Sequence, residues 1–146
     1  MSDLNRLESW ASPLLQKLEP AERKKLARQL GTELRRSQRQ RIADQRNPDG
    51  SAFAPRRAEA KTGRIRRKGM FTKLRTAKFL KTRYNANSVS VGFFGDIARL
   101  ARVHQYGLRD RVARGGPEIQ YEQRELVGFT SDDLDLIQQL LIDHLT

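Results

Sequence analysis

The chain has 146 residues, of which 37% are hydrophobic and 32% are charged, and its 29 Lys and Arg outnumber its 17 Asp and Glu. This length suits one domain with a modest core, so we expect a single domain over residues 1–146. The lack of cysteine excludes disulfides and thiolate chemistry, and two histidines are too few for a multi-histidine metal cluster.

The N-terminal part of the domain, residues 1–46, is predicted to be helical. Its first segment has apolar residues at helical spacing, but Pro13 favours either two short helices or one helix bent at that point. A second, long amphipathic helix begins at about Pro20, because proline suits the first turn of a helix, and it continues to about Gln45. Its apolar stripe consists of Leu26, Leu30, Leu34 and Ile42.

Residues 47–57, with the sequence NPDGSAFAPRR, are predicted to form a fixed corner. Pro48 ends the long helix, because proline disfavours helical geometry in the residue before it. Asp49 and Gly50 supply a tight turn. We expect Phe53 to anchor the exit of the corner and Pro55 to stiffen the chain beyond it.

The stretch that follows the corner, residues 56–70, is basic and contains two glycines. It has no apolar stripe that could hold it against a core, so a mobile loop is the default interpretation. Residues 71–84 fit either a short helix or a strand, and residues 85–87 suit a turn. Residues 88–93 alternate polar and apolar side chains with β-branched residues, which predicts a strand.

The remaining chain completes an α+β part that covers residues 71–146. A short helix is expected at 97–103, running into His104-Gln105-Tyr106-Gly107, and residues 108–118 are expected to form a charged loop. Thr130 or Ser131 caps a final helix. The overall prediction is an α+β fold with N-terminal helices, one of them long and amphipathic, a small antiparallel β-sheet and a C-terminal helix.

No enzymatic arrangement of residues is recognisable in the sequence. The sequence has no G-x-S-x-G nucleophile elbow that His104 could activate as a base. The glycines at 63 and 69 do not form a Walker phosphate loop. The aspartates at the start of the final helix are better explained by helix capping than by metal binding. We therefore expect a non-enzymatic protein with no cofactor and no metal.

The positive charge is concentrated in one segment. Residues 21–83 contain 21 Lys and Arg against 5 Asp and Glu, whereas the rest of the chain has 8 against 12. Such a segment indicates a polyanionic neighbour, either nucleic acid or an acidic protein surface. Any binding to nucleic acid would be non-specific, because no motif that reads bases is present.

Several short segments, in collinear order, resemble the tail completion protein S family of contractile-tailed bacteriophages, also called the phage virion morphogenesis family. The segments are Arg35-Arg36-Ser37-Gln38, Gln45 with Pro48-Asp49-Gly50, Ala54-Pro55-Arg56, Lys61-Thr62-Gly63-Arg64, Met70-Phe71-x-Lys73-Leu74, Val103-His104-Gln105-Tyr106-Gly107-Leu108 and Leu126-Val127-Gly128-Phe129-Thr130. Where the family usually has Pro-x-Arg-Pro, this chain has Tyr121-Glu122-Gln123-Arg124-Glu125, which keeps the arginine and lacks the prolines.

The resemblance implies a virion assembly protein that acts as a tail completion or terminator subunit at the head-proximal end of a contractile tail. It would be needed for tail maturation and head–tail joining. The implied partners are other copies in a hexameric ring, tail tube, sheath or neck proteins and, non-specifically, DNA in the conduit, with no membrane. The implied location is the tail or neck of a virion that is assembled in the cytoplasm of the bacterial host.

Two sets of residues are candidates for contacts. The electrostatic or interface set is Arg35, Arg36, Arg39, Arg41, Arg64, Arg66, Arg67 and Lys68. The set for structural turns or subunit contacts is Pro48, Asp49, Gly50, Phe53, Pro55, His104, Gln105, Tyr106 and Gly107. The alternative hypothesis is a non-specific nucleic-acid-binding protein that uses the basic 21–83 segment.

Overall fold

The computed structural model describes residues 2–55, 69–111 and 115–145, and it shows an α+β fold. The helices are α1 (Ser2–Leu15), α2 (Pro20–Ala43), α3 (Ile97–Tyr106) and α4 (Ser131–Leu145). The strands are β1 (Leu80–Tyr84), β2 (Val89–Phe93), β3 (Arg109–Arg111) and β4 (Glu118–Gln120). In this part of the chain no helix has the length and apolar character needed to cross a membrane.

The chain divides into two compact units. The helical unit comprises Met1–Ser37, Lys81–Gly92 and Phe129–Thr146, and the corner unit comprises Gln38–Leu80 and Phe93–Gly128. Helix α2 contributes its first eighteen residues to the helical unit and its end to the corner unit.

The core of the helical unit lies among α1, α2 and α4. The buried residues Ala11, Leu26 and Leu141 form its centre, one from each helix. Partly buried residues pack around them: Leu7, Leu15, Leu18, Leu30 and Ile137. The apolar spacing predicted these helices, and α1 continues through Pro13 as one element that ends at Leu15.

Gly31 allows α2 to approach the β1–β2 hairpin closely. A Cβ atom at this position would lie 3.1 Å from Cγ2 of Val89 and 3.4 Å from Cβ of Thr82. The glycine therefore has a packing reason inside a helix, where it otherwise costs about 1 kcal/mol relative to alanine. Helix α2 remains continuous through it.

Thr130 caps helix α4, which decides between the two predicted capping residues. Its hydroxyl accepts a hydrogen bond from the backbone N–H of Asp133 (2.9 Å), and the Asp133 carboxylate accepts one from the N–H of Thr130 (3.0 Å). This reciprocal pair is a capping box with aspartate in the acidic position. Asp133 is buried and also accepts a hydrogen bond from the Ser37 hydroxyl.

Within the described residues the strands form two separate two-stranded sheets, where the sequence predicts one small sheet. β1 pairs with β2, and β3 pairs antiparallel with β4, with Asp110 opposite Ile119. The prediction of a charged loop over residues 108–118 is therefore wrong at both ends. Each strand has three residues, and Ile119 is the single apolar residue of the pair, so the pattern is too short to predict a strand. The pair includes an ion pair between Arg109 and Glu118 (3.6 Å).

Candidate functional site

The four arginines predicted on α2 have different environments. Arg36 and Arg39 are exposed, and Arg36 forms an ion pair with Glu33 at 3.2 Å. Arg35 is half-buried. Arg41 is buried, with 7% of its surface exposed, so its position differs from the surface position that an electrostatic contact requires.

Arg41 donates hydrogen bonds from both terminal nitrogens of its guanidinium group. Nη1 donates to the carbonyl oxygens of Arg46 (2.8 Å) and Glu125 (2.7 Å). Nη2 donates to the carbonyl oxygen of Leu126 (2.9 Å) and to Oε1 of Gln38 (2.8 Å). A planar, forked donor can satisfy several carbonyls at once, so Arg41 stabilises the corner unit from inside.

Gln105, on helix α3, binds the backbone next to the carbonyls that Arg41 contacts, at Leu126 and Val127. Its Oε1 accepts hydrogen bonds from the backbone N–H groups of Leu126 (2.8 Å) and Val127 (3.0 Å), and its Nε2 donates to the Val127 carbonyl (2.8 Å). A carboxamide can donate and accept at once, so one side chain satisfies three backbone groups.

Two more side chains complete a set that we call the polar clasp: Gln38, Arg41, Asn47 and Gln105. Oδ1 of Asn47 accepts from the N–H of Glu125 (2.9 Å), and Oε1 of Gln38 accepts from the N–H of Gly128 (3.1 Å). Residues 125–128 belong to no helix or strand. The polar clasp bonds all four of their N–H groups and the carbonyls of residues 125–127, as polar groups shielded from water require.

The predicted corner contains a hydrogen-bonded turn. The N–H of Gly50 donates to the carbonyl of Asn47 (2.9 Å), with proline at the second position of the turn and Gly50 at φ 90°. Asp49 accepts a hydrogen bond from the backbone N–H of Ser51 (2.8 Å). The Ser51 hydroxyl also donates to Asp49, and this bond lowers the pKa of the exposed carboxyl below its usual value.

The exit of the corner is held by Phe53 and Arg124. Phe53 is buried, and its ring meets that of Phe71 edge to face at 5.8 Å. Arg124 is also buried; its Nε donates to the carbonyl of Ala54 (2.8 Å) and its Nη2 to the carbonyl of Pro55 (3.0 Å). The arginine that this chain keeps without the flanking prolines thus fastens the end of the corner.

Gln45 joins the entrance of the corner to Met70. It adopts φ 58°, a left-handed conformation that is unusual for a residue other than glycine. Its Oε1 accepts from the N–H of Met70 (2.7 Å) and its Nε2 donates to the Met70 carbonyl (2.8 Å). These two bonds offset the cost of the backbone conformation.

His104 lies inside helix α3 among aromatic rings. Its ring is 4.8 Å from that of Phe71 and 5.1 Å from that of Tyr121, both edge to face. Its buried Nδ1 has no hydrogen-bond partner in the described parts of the chain. Burial lowers the pKa of His104 below its usual value, and the charge of Arg124 lowers it further. His104 is therefore a neutral packing residue near pH 7.

Gly107 ends helix α3 in a left-handed conformation at φ 63°. The N–H of Leu108 donates to the Val103 carbonyl (2.9 Å), and the N–H of Gly107 donates to the His104 carbonyl (3.4 Å), which is the Schellman pattern. A Cβ atom at Gly107 would lie 2.9 Å from the backbone nitrogen of Gln123. The preceding residue, Tyr106, is exposed by 61%, so it is available for an external contact.

The predicted basic contacts Arg64, Arg66, Arg67 and Lys68 lie outside the described residues. Within residues 2–55, 69–111 and 115–145, no group of three or more His, Asp or Glu side chains is arranged to hold a metal ion. The arrangement that this part of the structure does show is a rigid corner, tied by side chains, and an exposed basic face on α2.

Sequence reasoning missed the function of Gln38, Asn47 and Arg124 in the corner unit. Their partners are carbonyl and N–H groups far away in the chain, so neither apolar spacing nor charge indicates them. For two of them the resemblance itself was an available signal: Gln38 stands in a segment that carries it, and Arg124 is the arginine kept where the family has Pro-x-Arg-Pro. Asn47 stands in none of those segments.

Comparison with known proteins agrees with that resemblance over the whole chain. Residues 2–146 match the phage virion morphogenesis family. The chain is 38% identical over 149 residues to the protein named tail completion protein S of Escherichia phage P2. The alignment covers 99% of both chains. No solved structure matches significantly. Because the match is collinear and spans both units, the chain belongs to the phage virion morphogenesis family.

Proposed function

We propose that this protein is a non-enzymatic tail completion subunit of a contractile-tailed phage, prophage or phage-like particle. It acts at the head-proximal end of the finished tail as a terminator and makes the tail competent to join a filled head. The observation that carries the proposal is the 38% identity to tail completion protein S of Escherichia phage P2 over 99% of both chains.

In this proposal the working form is a hexameric ring in the tail or neck of the virion, assembled in the host cytoplasm. Its partners are other copies of the chain and tail tube, sheath or neck proteins. The charge distribution supports such contacts, because an excess of 16 positive charges in residues 21–83 favours acidic neighbouring surfaces.

The geometry suits an assembly role in two respects. The corner unit has backbone segments that are fixed by buried side chains, such as Arg41 and Arg124, and it therefore presents a defined shape. Arg36 and Arg39 are exposed on α2 and can pair with acidic groups of a partner. Exposed charges of this kind contribute mainly to specificity and association rate.

The test is removal of the gene from a phage or prophage that carries it, followed by complementation from a plasmid. We expect the deletion to abolish infectious particles and to leave full-length tails and filled heads unjoined in electron micrographs. Wild-type protein should restore joining. Normal joined particles without the gene would overturn the proposal.

A charge-reversal pair tests the surface contact in the same assay. The double variant Arg36→Glu, Arg39→Glu should lower the yield of joined particles at least about tenfold. The control is Lys17→Glu, Lys81→Glu, which makes the same change in net charge at two other exposed positions and should leave the yield unchanged. Equal yields of joined particles from both variants would show that Arg36 and Arg39 do not contribute to the interface.

Non-specific binding to nucleic acid remains the competing function. It predicts a monomer that binds duplex DNA with a steep dependence on salt concentration and that is dispensable for head–tail joining. Measuring DNA affinity over a series of salt concentrations, beside the particle assay, separates the two functions.

A further inference from the structure

Two exposed helix faces of the helical unit carry opposite charges at the same spacing. On α2, the basic stripe consists of Lys25, Arg28, Thr32 and Arg36. On α4, the acidic stripe consists of Asp132, Asp135, Gln139 and Asp143. In both, the charged residues occupy positions i, i+3 and i+11, and an uncharged polar residue occupies i+7.

This spacing places each set on one narrow strip of its helix. At 3.6 residues per turn, the four positions fall within about 80° of one another around the axis. Each stripe extends over about 17 Å, at a rise of about 1.5 Å per residue. All eight residues are exposed, so neither strip is covered within the helical unit.

The charges on these strips are largely unpaired. In the described parts of the chain, the charged groups of Lys25, Arg28, Asp132 and Asp135 form no ion pair and no hydrogen bond, and the Thr32 hydroxyl donates to the backbone carbonyl of Arg28 (3.1 Å). Arg36 forms an exposed ion pair with Glu33, and Gln139 donates a hydrogen bond to Asp143 at 2.8 Å. No ion pair joins the two stripes within one described chain.

We propose that the acidic stripe of one copy docks on the basic stripe of the next copy, with the two helices parallel. In this register Asp132 faces Lys25, Asp135 faces Arg28 and Asp143 faces Arg36. The uncharged residues Thr32 and Gln139 also face each other. An antiparallel register aligns two of the three pairs and places Asp135 against Thr32.

Charge complementarity selects a second copy over other partners. DNA would bind the basic stripe and leave the acidic stripe unpaired, because phosphate repels carboxylate. An acidic protein would do the same. A second copy uses both stripes, with the same spacing and polarity, and each copy then takes part in two such contacts.

The contact joins two different surfaces, so it is heterologous and generates a ring when the rotation closes. This inference therefore rests on the proposed ring and names the surfaces that build it. Exposed ion pairs are individually weak and are screened by salt, so the assembly should weaken as the ionic strength rises.

Cysteine cross-linking tests the register, and the native chain supplies no cysteine that could interfere. Purified Thr32→Cys and Gln139→Cys chains are mixed and oxidised, and we expect a disulfide between position 32 of one copy and position 139 of another. The chain with both substitutions should form a ladder of linked oligomers. Lys17→Cys, an exposed position on the same unit, replaces Thr32→Cys in the control. Linking no more efficient than this control overturns the proposal.

Charge exchange tests the same contact without a covalent link. Arg28→Glu with Arg36→Glu should lower the association constant at least about tenfold by mass photometry, and Asp135→Lys with Asp143→Lys should do the same. The chain with all four substitutions restores complementary stripes and should associate as the wild type does. Lys17→Glu, Lys81→Glu and Glu8→Lys, Glu19→Lys are matched controls at exposed positions. Failure of the four-fold variant to recover, while circular dichroism shows a folded chain, overturns the pairing.

The two levels of the proposal fail differently. If wild-type chains form rings that neither stripe variant weakens, the docking surface is wrong and the ring stands. If the wild type complements the deletion but remains monomeric and does not cross-link, both the docking surface and the ring are wrong, and tail completion stands.

Discussion

Both units have buried apolar residues, with Ala11, Leu26 and Leu141 in the helical unit and Ile42, Leu80 and Leu126 in the corner unit. The corner unit differs because it also buries the charged groups of Arg41 and Arg124 against backbone carbonyls. The corner unit therefore combines apolar packing with side-chain hydrogen bonds, and these depend on different forces. Apolar packing follows from regular spacing along helices. Side-chain clasps depend on individual donors and acceptors, each of which leaves a buried group unsatisfied when it is removed. The corner unit should therefore be the more sensitive of the two to the loss of a buried charged side chain.

The largest effect is expected for Arg41→Met. It removes the donor for the carbonyls of Arg46, Glu125 and Leu126, and should lower the free energy of unfolding by about 3–5 kcal/mol. Urea denaturation measures this change. Arg39→Met, at an exposed position of the same helix, should change stability by less than about 0.5 kcal/mol. Equal effects of the two substitutions would show that the clasp does not stabilise the corner unit.

The converse substitution, Leu26→Ala, breaks the apolar core of the other unit. It should cost about 3 kcal/mol, since it removes a buried side chain and leaves a cavity. Hydrogen exchange distinguishes the two variants. In Leu26→Ala the amides of α1 and α4 should lose protection first, and in Arg41→Met the amides of Leu126 and Val127 should lose protection first. Identical exchange patterns in the two variants would contradict separate modes of stabilisation.

A smaller effect is expected for Gly107→Ala. A left-handed conformation and a close approach to Gln123 both oppose the added methyl group, and together should cost about 2 kcal/mol. The matched control is Gly115→Ala, where φ is 75° but, among the described residues other than its chain neighbours, no atom lies within 4 Å of the added Cβ. The difference between the two melting temperatures isolates the steric contribution; no difference would mean that Gln123 moves away freely.

The smallest effect is expected from pH. The folded state lowers the pKa of His104, so the unfolded chain binds a proton more readily. Stability should be fully present above the unfolded pKa of about 6.5 and decline as the pH falls below it. When His104 is replaced by phenylalanine, the free energy of unfolding should depend less on pH between pH 7 and the pKa of His104 in the folded chain. An unchanged slope in the His104→Phe variant would show that His104 is not the group responsible.

The parts predictable from the sequence were those with regular periodicity or a local turn signal. The long helix from Pro20, the strand near Val89 and the cap at Thr130 all follow from short-range patterns, and the structure confirms them. The three-residue strands β3 and β4 do not, because three residues are too few to establish a periodic pattern. The burial of Arg41 could not be predicted from the sequence either, since an arginine on a basic helix has the same local sequence pattern whether its side chain faces solvent or backbone carbonyls.

One close approach in the corner unit has an evolutionary consequence. A Cβ atom at Gly128 would lie 2.5 Å from Cγ of Pro48, so a side chain at 128 and a proline ring at 48 are mutually exclusive at this spacing. Among related phages, a side chain at 128 should therefore occur only where 48 is not proline. A lineage that loses the proline becomes free to accept alanine or serine at 128, and a lineage that keeps the proline must keep the glycine. In the divergence of this family, replacement of Pro48 should thus precede replacement of Gly128.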